Sequence, residues 1–398
     1  MFDFEFDDPR GSRNDTETKE LVAAYEKDEP TYFDSVALER IAGYYFEDGR
    51  FQEALGVIDE LLERQPHSSD GWMRRGIVLS HMGRAQEALE AYDRALNINP
   101  MDTETLLNKG LTLDGLGRLE EALAAFDRIL EYNPRMAEAH FNRGVTLARA
   151  NRLEEAVEAL ECCADLNPDH PEVWYELGYC HDRLGHDDAS IECYERHTDV
   201  APYSPDAWYN RGIVLNRTGR YREAVDSYDM AIVIQEDFAS AHYNMGNALA
   251  NLGEHEEALN RYERVLELEG ADAATFYNMA LSCEDLGHYE RALDFFRQAL
   301  DEEPEYADAW HGLACCLDAL GRYGEAADAY RRLVALEPRR ASAHFQHAQA
   351  LLAHGNLDDA LAALQNAFAL DPSTKADFRR AYPSLYQDDR IRNRLGLD

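Results

Sequence analysis

Three rows of side chains that could hold a polypeptide recur in this chain at intervals of 34 residues or multiples of 34. An asparagine amide offers a donor and an acceptor together, so a row of asparagines can pair with the backbone of an extended chain. Tyrosines add flat apolar area with a polar tip, and arginines bind carboxylate or phosphate groups in a two-pronged geometry. The candidate partner-binding residues are Asn108, Asn142, Asn210, Asn244 and Asn278; Phe141, Tyr175, Tyr209, Tyr243 and Tyr277; and Arg149, Arg183 and Arg217.

Each row also has a purely structural interpretation. The asparagines can be common residues of a repeating unit, and the aromatic side chains can lean on a neighbouring helix instead of on a ligand. The arginines can neutralise nearby acids, for which Asp114 and Asp182 are available. The sequence leaves both interpretations open.

A separate group of side chains has the residue types of a metal site. Cys193 and His197 lie one helical turn apart, and His181 is close in sequence. Such ligands suit zinc, but their spacing matches no zinc pattern, so we predict no metal site and no cofactor. The alternative is that residues 171–204 form a weakly packed, flexible unit, because polar groups at core positions cost stability.

The sequence contains no motif typical of catalysis. It has no glycine-rich phosphate loop and no nucleophile elbow. The stretch His-Glu-Glu-Ala-Leu that begins at His255 lacks the second histidine of a zinc protease. We therefore predict that the protein is not an enzyme.

The elements that position these residues are ten tandem repeats of 34 residues, without insertions or deletions. Position 8 of every repeat is Gly or Ala, position 20 is Ala with one exception, position 15 is Gly with one exception, and position 32 is mostly Pro. The repeats span residues 35–68, 69–102, 103–136, 137–170, 171–204, 205–238, 239–272, 273–306, 307–340 and 341–374.

Each repeat is predicted to form two short amphipathic helices, A and B. Apolar residues at positions 4, 7, 8 and 11 define helix A, and those at positions 20, 24, 27 and 28 define helix B. Glycine at position 15 suits a left-handed end of helix A, and acids at position 19 suit the start of helix B. Positions 2, 5, 6, 9, 12 and 13 lie on the opposite side of helix A, and all three rows of candidate residues lie there.

These positions resemble the tetratricopeptide repeat family over residues 35–374. The resemblance implies an all-α fold, a right-handed α-solenoid superhelix of somewhat more than one turn. In that family the free side of helix A lines a concave groove that binds peptides or partner helices. The asparagine row resembles that of the protein O-linked N-acetylglucosamine transferases, which implies capture of a peptide backbone.

One function within that family is disfavoured by the residues present. The cochaperone clamp for heat-shock-protein C-terminal tails requires lysine at position 5, and no repeat of this chain has one. Position 2, where the clamp also uses lysine, is acidic in six of the ten repeats. We therefore expect a partner other than a heat-shock C-terminal tail.

The segments outside the repeats have distinct compositions. Residues 1–16 are predicted to be a disordered acidic and aromatic tail, residues 17–34 to contain an N-terminal capping helix, and residues 375–398 to form C-terminal capping helices. The first residues do not have the basic start and apolar core of a signal peptide, so we expect a cytoplasmic protein.

The charge composition narrows the class of partner. The chain has 77 acidic and 39 basic residues, a formal net charge of −38, which disfavours nucleic acid and acidic membranes as partners. Only four of the basic residues are lysines: Lys19, Lys27, Lys109 and Lys375. This composition is typical of a halophile or of a GC-rich genome.

The predicted function is a non-catalytic scaffold for protein–protein interaction that binds an extended peptide in the groove of the superhelix. The alternative is a regulatory subunit whose groove is occupied by its own N-terminal segment, within one chain or between two chains. Phe2 to Asp8 alternates aromatic and acidic residues that could match the tyrosine and arginine rows.

If the acidity reflects adaptation to salt, the melting temperature will rise between low salt and molar KCl. Mutual repulsion among the acids destabilises the folded chain at low ionic strength, and added ions screen it. Thermal unfolding followed by circular dichroism across KCl concentrations measures this effect. An unchanged melting temperature would contradict halophilic adaptation.

Overall fold

The computed structural model describes residues 16–27 and 32–397. The described residues form α-helices only, 24 in number, which confirms the predicted all-α fold. The chain divides into two compact units, Met1–Ala201 and Pro202–Asp398. Most of the predicted N-terminal tail, residues 1–15, lies outside the described residues. Every described helix is too short or too polar to span a lipid bilayer.

The first unit contains one helix before the repeats and then five A–B pairs. In each pair the even-numbered helix is A and the odd-numbered helix is B. The helices are α1 Thr16–Glu26, α2 Ser35–Glu47, α3 Phe51–Arg64, α4 Ser69–His81, α5 Ala85–Ile98, α6 Thr103–Gly115, α7 Leu119–Tyr132, α8 Ala137–Arg149, α9 Leu153–Leu166, α10 Val173–Leu184 and α11 Asp187–Val200.

The second unit contains the other five A–B pairs and three short helices after them. The helices are α12 Pro205–Arg217, α13 Tyr221–Ile234, α14 Ala239–Asn251, α15 His255–Glu269, α16 Ala273–Asp285, α17 Tyr289–Glu302, α18 Ala307–Ala319, α19 Tyr323–Leu336, α20 Ala341–His354, α21 Leu357–Leu370, α22 Thr374–Ala381, α23 Pro383–Gln387 and α24 Asp389–Leu395.

Helix A ends at a left-handed residue, as the sequence predicts. The position-15 glycines have positive φ values, for example 73° at Gly117 and 81° at Gly253. Asn151 replaces glycine in the fourth repeat and keeps the left-handed conformation, with φ of 59°. Asparagine tolerates this region better than other residues with a side chain, so the turn survives the substitution.

Helices A and B of one repeat approach so closely that position 8 leaves no room for a side chain in most repeats. A Cβ atom built on Gly212 would lie 2.5 Å from Cε1 of Tyr228, and one on Gly246 would lie 2.6 Å from Cε1 of Tyr262. The aromatic ring at position 24 of helix B therefore lies directly against the backbone of helix A. Both tyrosine rings are fully or almost fully buried.

In the seven repeats with Trp or His at position 4, this side chain is hydrogen-bonded to the turn that precedes helix A. The indole Nε1 of Trp72 donates a hydrogen bond to the Pro66 carbonyl at 2.9 Å, and Trp310 does the same to Pro304 at 2.9 Å. Histidine performs this role in other repeats, as in the 3.0 Å contact of His344 Nε2 with the Pro338 carbonyl. Tryptophan and histidine therefore have the same role at this position because each has a ring nitrogen that contacts the carbonyl.

Position 7 differs from the prediction of an apolar row. Four repeats have an arginine or lysine there, and three of these cations form an ion pair with the position-25 aspartate of the preceding repeat. The fourth, Arg211, donates a hydrogen bond to Ser227 at 2.6 Å. The ion pairs are Arg75 with Asp59 at 2.8 Å, Lys109 with Asp93 at 2.6 Å and Arg143 with Asp127 at 2.7 Å. The long aliphatic stems of these residues cover apolar surface while their charged ends reach the aspartates.

Each end of the repeat array is covered by a further helix. Val22 of α1 is buried, and the Tyr25 hydroxyl donates to Glu60 of α3 at 2.9 Å. At the other end Phe378 of α22 is fully buried, with its ring centroid 5.9 Å from that of Phe368 in α21.

Replacing Gly246 by alanine should destabilise the protein by about 1–3 kcal/mol, because the added methyl group overlaps the Tyr262 ring. Gly56 is the matched control, since it lies inside α3 with no atom within 4 Å of its would-be Cβ. Gly56→Ala should stabilise by about 0.5–1 kcal/mol through higher helix propensity. Urea unfolding followed by circular dichroism measures both. Equal effects of the two variants would refute the packing constraint.

Candidate partner-binding face

Neighbouring A helices contact each other directly within each unit. In the first unit α4 contacts α6, α6 contacts α8 and α8 contacts α10, and in the second unit α12 contacts α14, α14 contacts α16 and α16 contacts α18. Positions 2, 5, 6, 9, 12 and 13 of these helices therefore form a surface across successive repeats. We call this surface the A face of each unit.

On the A face of the second unit, asparagines and tyrosines of successive repeats are hydrogen-bonded to each other. Asn244 Nδ2 donates to the Tyr209 hydroxyl at 3.0 Å, and Asn278 Nδ2 donates to the Tyr243 hydroxyl at 2.9 Å. Asn278 Nδ2 also reaches Oδ1 of Asn247 at 3.2 Å. Position 6 of one repeat thus holds the position-5 side chain of the preceding repeat. The same two positions meet again where His311 Nε2 lies 3.2 Å from Gln346 Oε1.

Several position-5 rings also stack on the residue at position 34 of their own repeat. The ring centroids of Phe141 and His170 lie 4.3 Å apart, and those of Tyr277 and Tyr306 lie 5.0 Å apart. Tyr209 stacks on Phe238 in the same way, at 4.8 Å. These rings are held in place from one side, so their orientation does not depend on a ligand.

The asparagine side chains of the first unit are more buried than those of the second. Asn108 is 4% exposed and Asn142 is 3% exposed. Asn142 Nδ2 donates to the Glu138 backbone carbonyl at 2.8 Å and to Glu138 Oε1 at 2.9 Å. In contrast, Asn210, Asn244 and Asn278 of the second unit are only half-buried.

The arginines of the predicted row differ in their surroundings. Arg149 forms an ion pair with Asp114, the neutralisation that the sequence left open. Arg183 donates to the Tyr179 hydroxyl at 2.8 Å and to Asn151 Oδ1 at 3.0 Å. Arg217 is exposed at the last residue of α12.

Sequence models described as tetratricopeptide repeat or TPR repeat match most of the chain. The matches cover residues 40–102, 107–161, 171–203, 214–253, 237–301, 285–350 and 345–382. The chain belongs to the tetratricopeptide repeat family. Its repeat is typically a non-catalytic module of protein–protein interaction scaffolds.

Solved tetratricopeptide structures resemble parts of the chain. YrrB, described as a TPR protein with an unusual peptide-binding site, is 24% identical, covers 47% of this chain and 96% of its own, and has a TM-score of 0.45. A MamA structure is 24% identical over 42% of this chain and 91% of its own, with a TM-score of 0.41. A tetratricopeptide repeat protein from Parabacteroides merdae ATCC 43184 is 18% identical, covers 63% of this chain and 98% of its own, and has a TM-score of 0.44. A comparison with curated protein sequences found no match.

The fifth tetratricopeptide repeat has polar groups at packing positions. Ser190, at position 20, is buried and donates to the Gly178 carbonyl at 2.8 Å. His197, at position 27, is 1% exposed, and its Nδ1 has no hydrogen-bond partner in the described part of the chain. Burial lowers the pKa of the His197 imidazole and so favours its neutral form.

The metal-site candidates of this repeat have other surroundings than a metal site. His181 is paired with His186, with 3.4 Å between the two Nδ1 atoms, and Cys193 is buried, which raises its pKa to about 12. Across residues 16–27 and 32–397 no group of three or more His, Cys, Asp or Glu side chains is arranged to hold a metal ion.

Three carboxyl groups of the A faces were not singled out from the sequence as binding residues: Glu176 in the first unit and Glu284 and Asp318 in the second. All three are half-buried, and burial raises the pKa of each carboxyl group. The signal was present at position 12, where Glu284 and Asp318 follow one another at an interval of 34 residues.

Backbone amides of α10 and α11 should exchange with solvent faster than those of α8 and α9, because the buried His197 Nδ1 without a hydrogen-bond partner weakens the fifth repeat. Hydrogen exchange followed by mass spectrometry measures the difference. His197→Leu places at position 27 the residue that Leu61 and Leu333 provide in other repeats, and it should slow the exchange. Equal protection of the two repeats would refute local weakness.

Proposed function

We propose that this tetratricopeptide repeat protein is a non-catalytic scaffold that binds an extended polypeptide segment on the A face of its second unit. The observation that carries the proposal is the hydrogen-bonded row of asparagines and tyrosines there. The side-chain amides of Asn244 and Asn278 both donate hydrogen bonds to tyrosine hydroxyls. Their Oδ1 atoms have no hydrogen-bond partner among the described residues and remain available as acceptors.

This arrangement fits recognition of a peptide backbone. Each amide is held by the neighbouring repeat, so the acceptor is oriented before a ligand arrives and little side-chain entropy is lost on binding. The backbone N–H groups of an extended segment are the matching donors. The half-buried Tyr209, Tyr243 and Tyr277 add apolar contact area beside them.

The first unit supports the same function less well. Asn108 and Asn142 are almost completely buried, and Arg149 is already paired with Asp114. We therefore place capture of the peptide backbone on the second unit. Occupation of a groove by the segment Phe2 to Asp8 stays a prediction from the sequence, because those residues lie outside the described part of the chain.

We first select peptides that bind the intact protein from a random display library. These peptides should bind the double variant Asn244→Ala/Asn278→Ala about tenfold more weakly, because two central contacts are lost. Fluorescence anisotropy with a labelled library peptide measures the affinity. The variant loses the oriented acceptors and leaves the tyrosines in place.

Asn142→Ala is the matched control for this experiment. It removes an asparagine from the same repeat position, but one that is buried and bonded to Glu138. It should lower the free energy of unfolding by about 1 kcal/mol and leave peptide affinity unchanged. If the double variant binds normally and only loses stability, the asparagines serve packing between repeats and not ligand capture.

A further inference from the structure

Two acids on the A face of the second unit lack a cation. Glu284 and Asp318 occupy position 12 of α16 and α18, and both are half-buried. Neither side chain forms a hydrogen bond or ion pair within the described part of the chain. Burial without compensation raises the pKa of both carboxyl groups.

The two carboxylates lie at the same repeat position of α16 and α18, two helices that contact each other. The negative charges of both act on the Cys315 thiol and on the Tyr330 hydroxyl, which lie 3.5 Å from each other. Arg340 is the cation that also acts on Cys315, but its guanidinium is already paired with Glu337 at 2.8 Å and lies 3.8 Å from Asp308.

The first unit shows how an acid at position 12 is neutralised within the protein. Asp114 occupies position 12 of the third repeat, and its ion-pair partner Arg149 occupies position 13 of the fourth. Thr146 Oγ1 adds a hydrogen bond to Asp114 at 3.0 Å. Here the acid at position 12 is matched by an arginine one repeat later.

The second unit keeps the acids and lacks these arginines. The residues equivalent to Arg149 are Ala319, one repeat after Glu284, and Ala353, one repeat after Asp318. Both alanines are exposed, so neither covers the carboxylate that precedes it. A cation brought by a ligand can occupy the place that the Arg149 guanidinium holds in the first unit.

We infer that the segment bound by the second unit carries an arginine or lysine side chain that enters between Glu284 and Asp318. The inference rests on the proposed function and adds the charge of the partner to it. A carboxylate that is partly removed from water gains more from a cation than an exposed one does, because the local screening is weaker. The unpartnered Oδ1 atoms of Asn244 and Asn278 favour the same kind of ligand, one rich in N–H donors.

The test uses the full chain and peptides retained from a random display library. Arginine and lysine should be enriched in the retained peptides. In one such peptide, replacing arginine by citrulline keeps the shape, removes the charge, and should weaken binding about tenfold, the scale of a charge-assisted contact. Binding is measured by fluorescence anisotropy at physiological salt and repeated at high salt.

Two pairs of substitutions locate the effect. Glu284→Gln/Asp318→Asn removes the two charges, and Ala319→Arg/Ala353→Arg supplies the missing internal cations at exposed helical positions. Each should abolish the preference for arginine over citrulline. The control Glu302→Gln/Glu305→Gln removes two exposed charges near the end of α17 and should keep the preference, which excludes a general effect of the net charge of −38.

Each outcome separates this inference from the proposed function. Peptides retained without an excess of basic residues, or equal binding of arginine and citrulline peptides, would overturn the inference and leave peptide binding intact. A preference that survives both pairs of substitutions would also overturn it. Failure to retain any peptide would refute the proposed function and the inference together.

Discussion

The close contact between the position-24 ring and the backbone at position 8 is the constraint on which the rest of the structure depends. Because the ring of Tyr228 or Tyr262 lies where a Cβ of Gly212 or Gly246 would be, helices A and B of these repeats have one possible separation. In the eighth repeat position 8 is Ala280, and the Phe296 ring lies against the backbone of Gly312 in the next repeat. The side of helix A that faces away from helix B takes no part in this contact, and that side forms the A face.

The sequence predicts best those features that depend on the backbone conformation or the size of one residue. Position 15 needs a left-handed residue and position 8 needs a small one, so glycine, asparagine or alanine reveals them directly. The prediction of an apolar position 7 holds for residues such as Ile41 and Met279 and is wrong for cations such as Arg75, which pairs with an aspartate of the preceding repeat. The asparagine–tyrosine bonds were missed for the same reason, since Asn244 and Tyr209 meet only after two repeats have packed. Periodicity within one repeat does not encode contacts between repeats.

The positive charges of the protein are largely committed to its own acids. Position-16 arginines bind the position-19 glutamate that begins helix B, as in Arg118 with Glu121 and Arg322 with Glu325. These pairs lie on exposed surface and leave the A face unaffected. A saline environment can account for an excess of exposed acids, because hydrated carboxylates keep the chain soluble. It does not account for acids that are half-buried, since these lose hydration and gain no contact in return.

The two units therefore use one scaffold in different ways. In the first unit several polar residues of the A face satisfy each other, as Asn142 does with Glu138 and Arg149 with Asp114, whereas the half-buried Glu176 carboxyl group has a raised pKa. In the second unit the same positions are only partly satisfied. The side-chain amides of Asn244 and Asn278 donate hydrogen bonds, but among the described residues their Oδ1 atoms accept none, and the acids at position 12, Glu284 and Asp318, have no arginine partner. Unsatisfied groups at half-buried positions cost folding free energy, and a repeat scaffold has simple substitutions to remove them. Their presence at successive repeats of the second unit supports the proposal that this unit binds the partner.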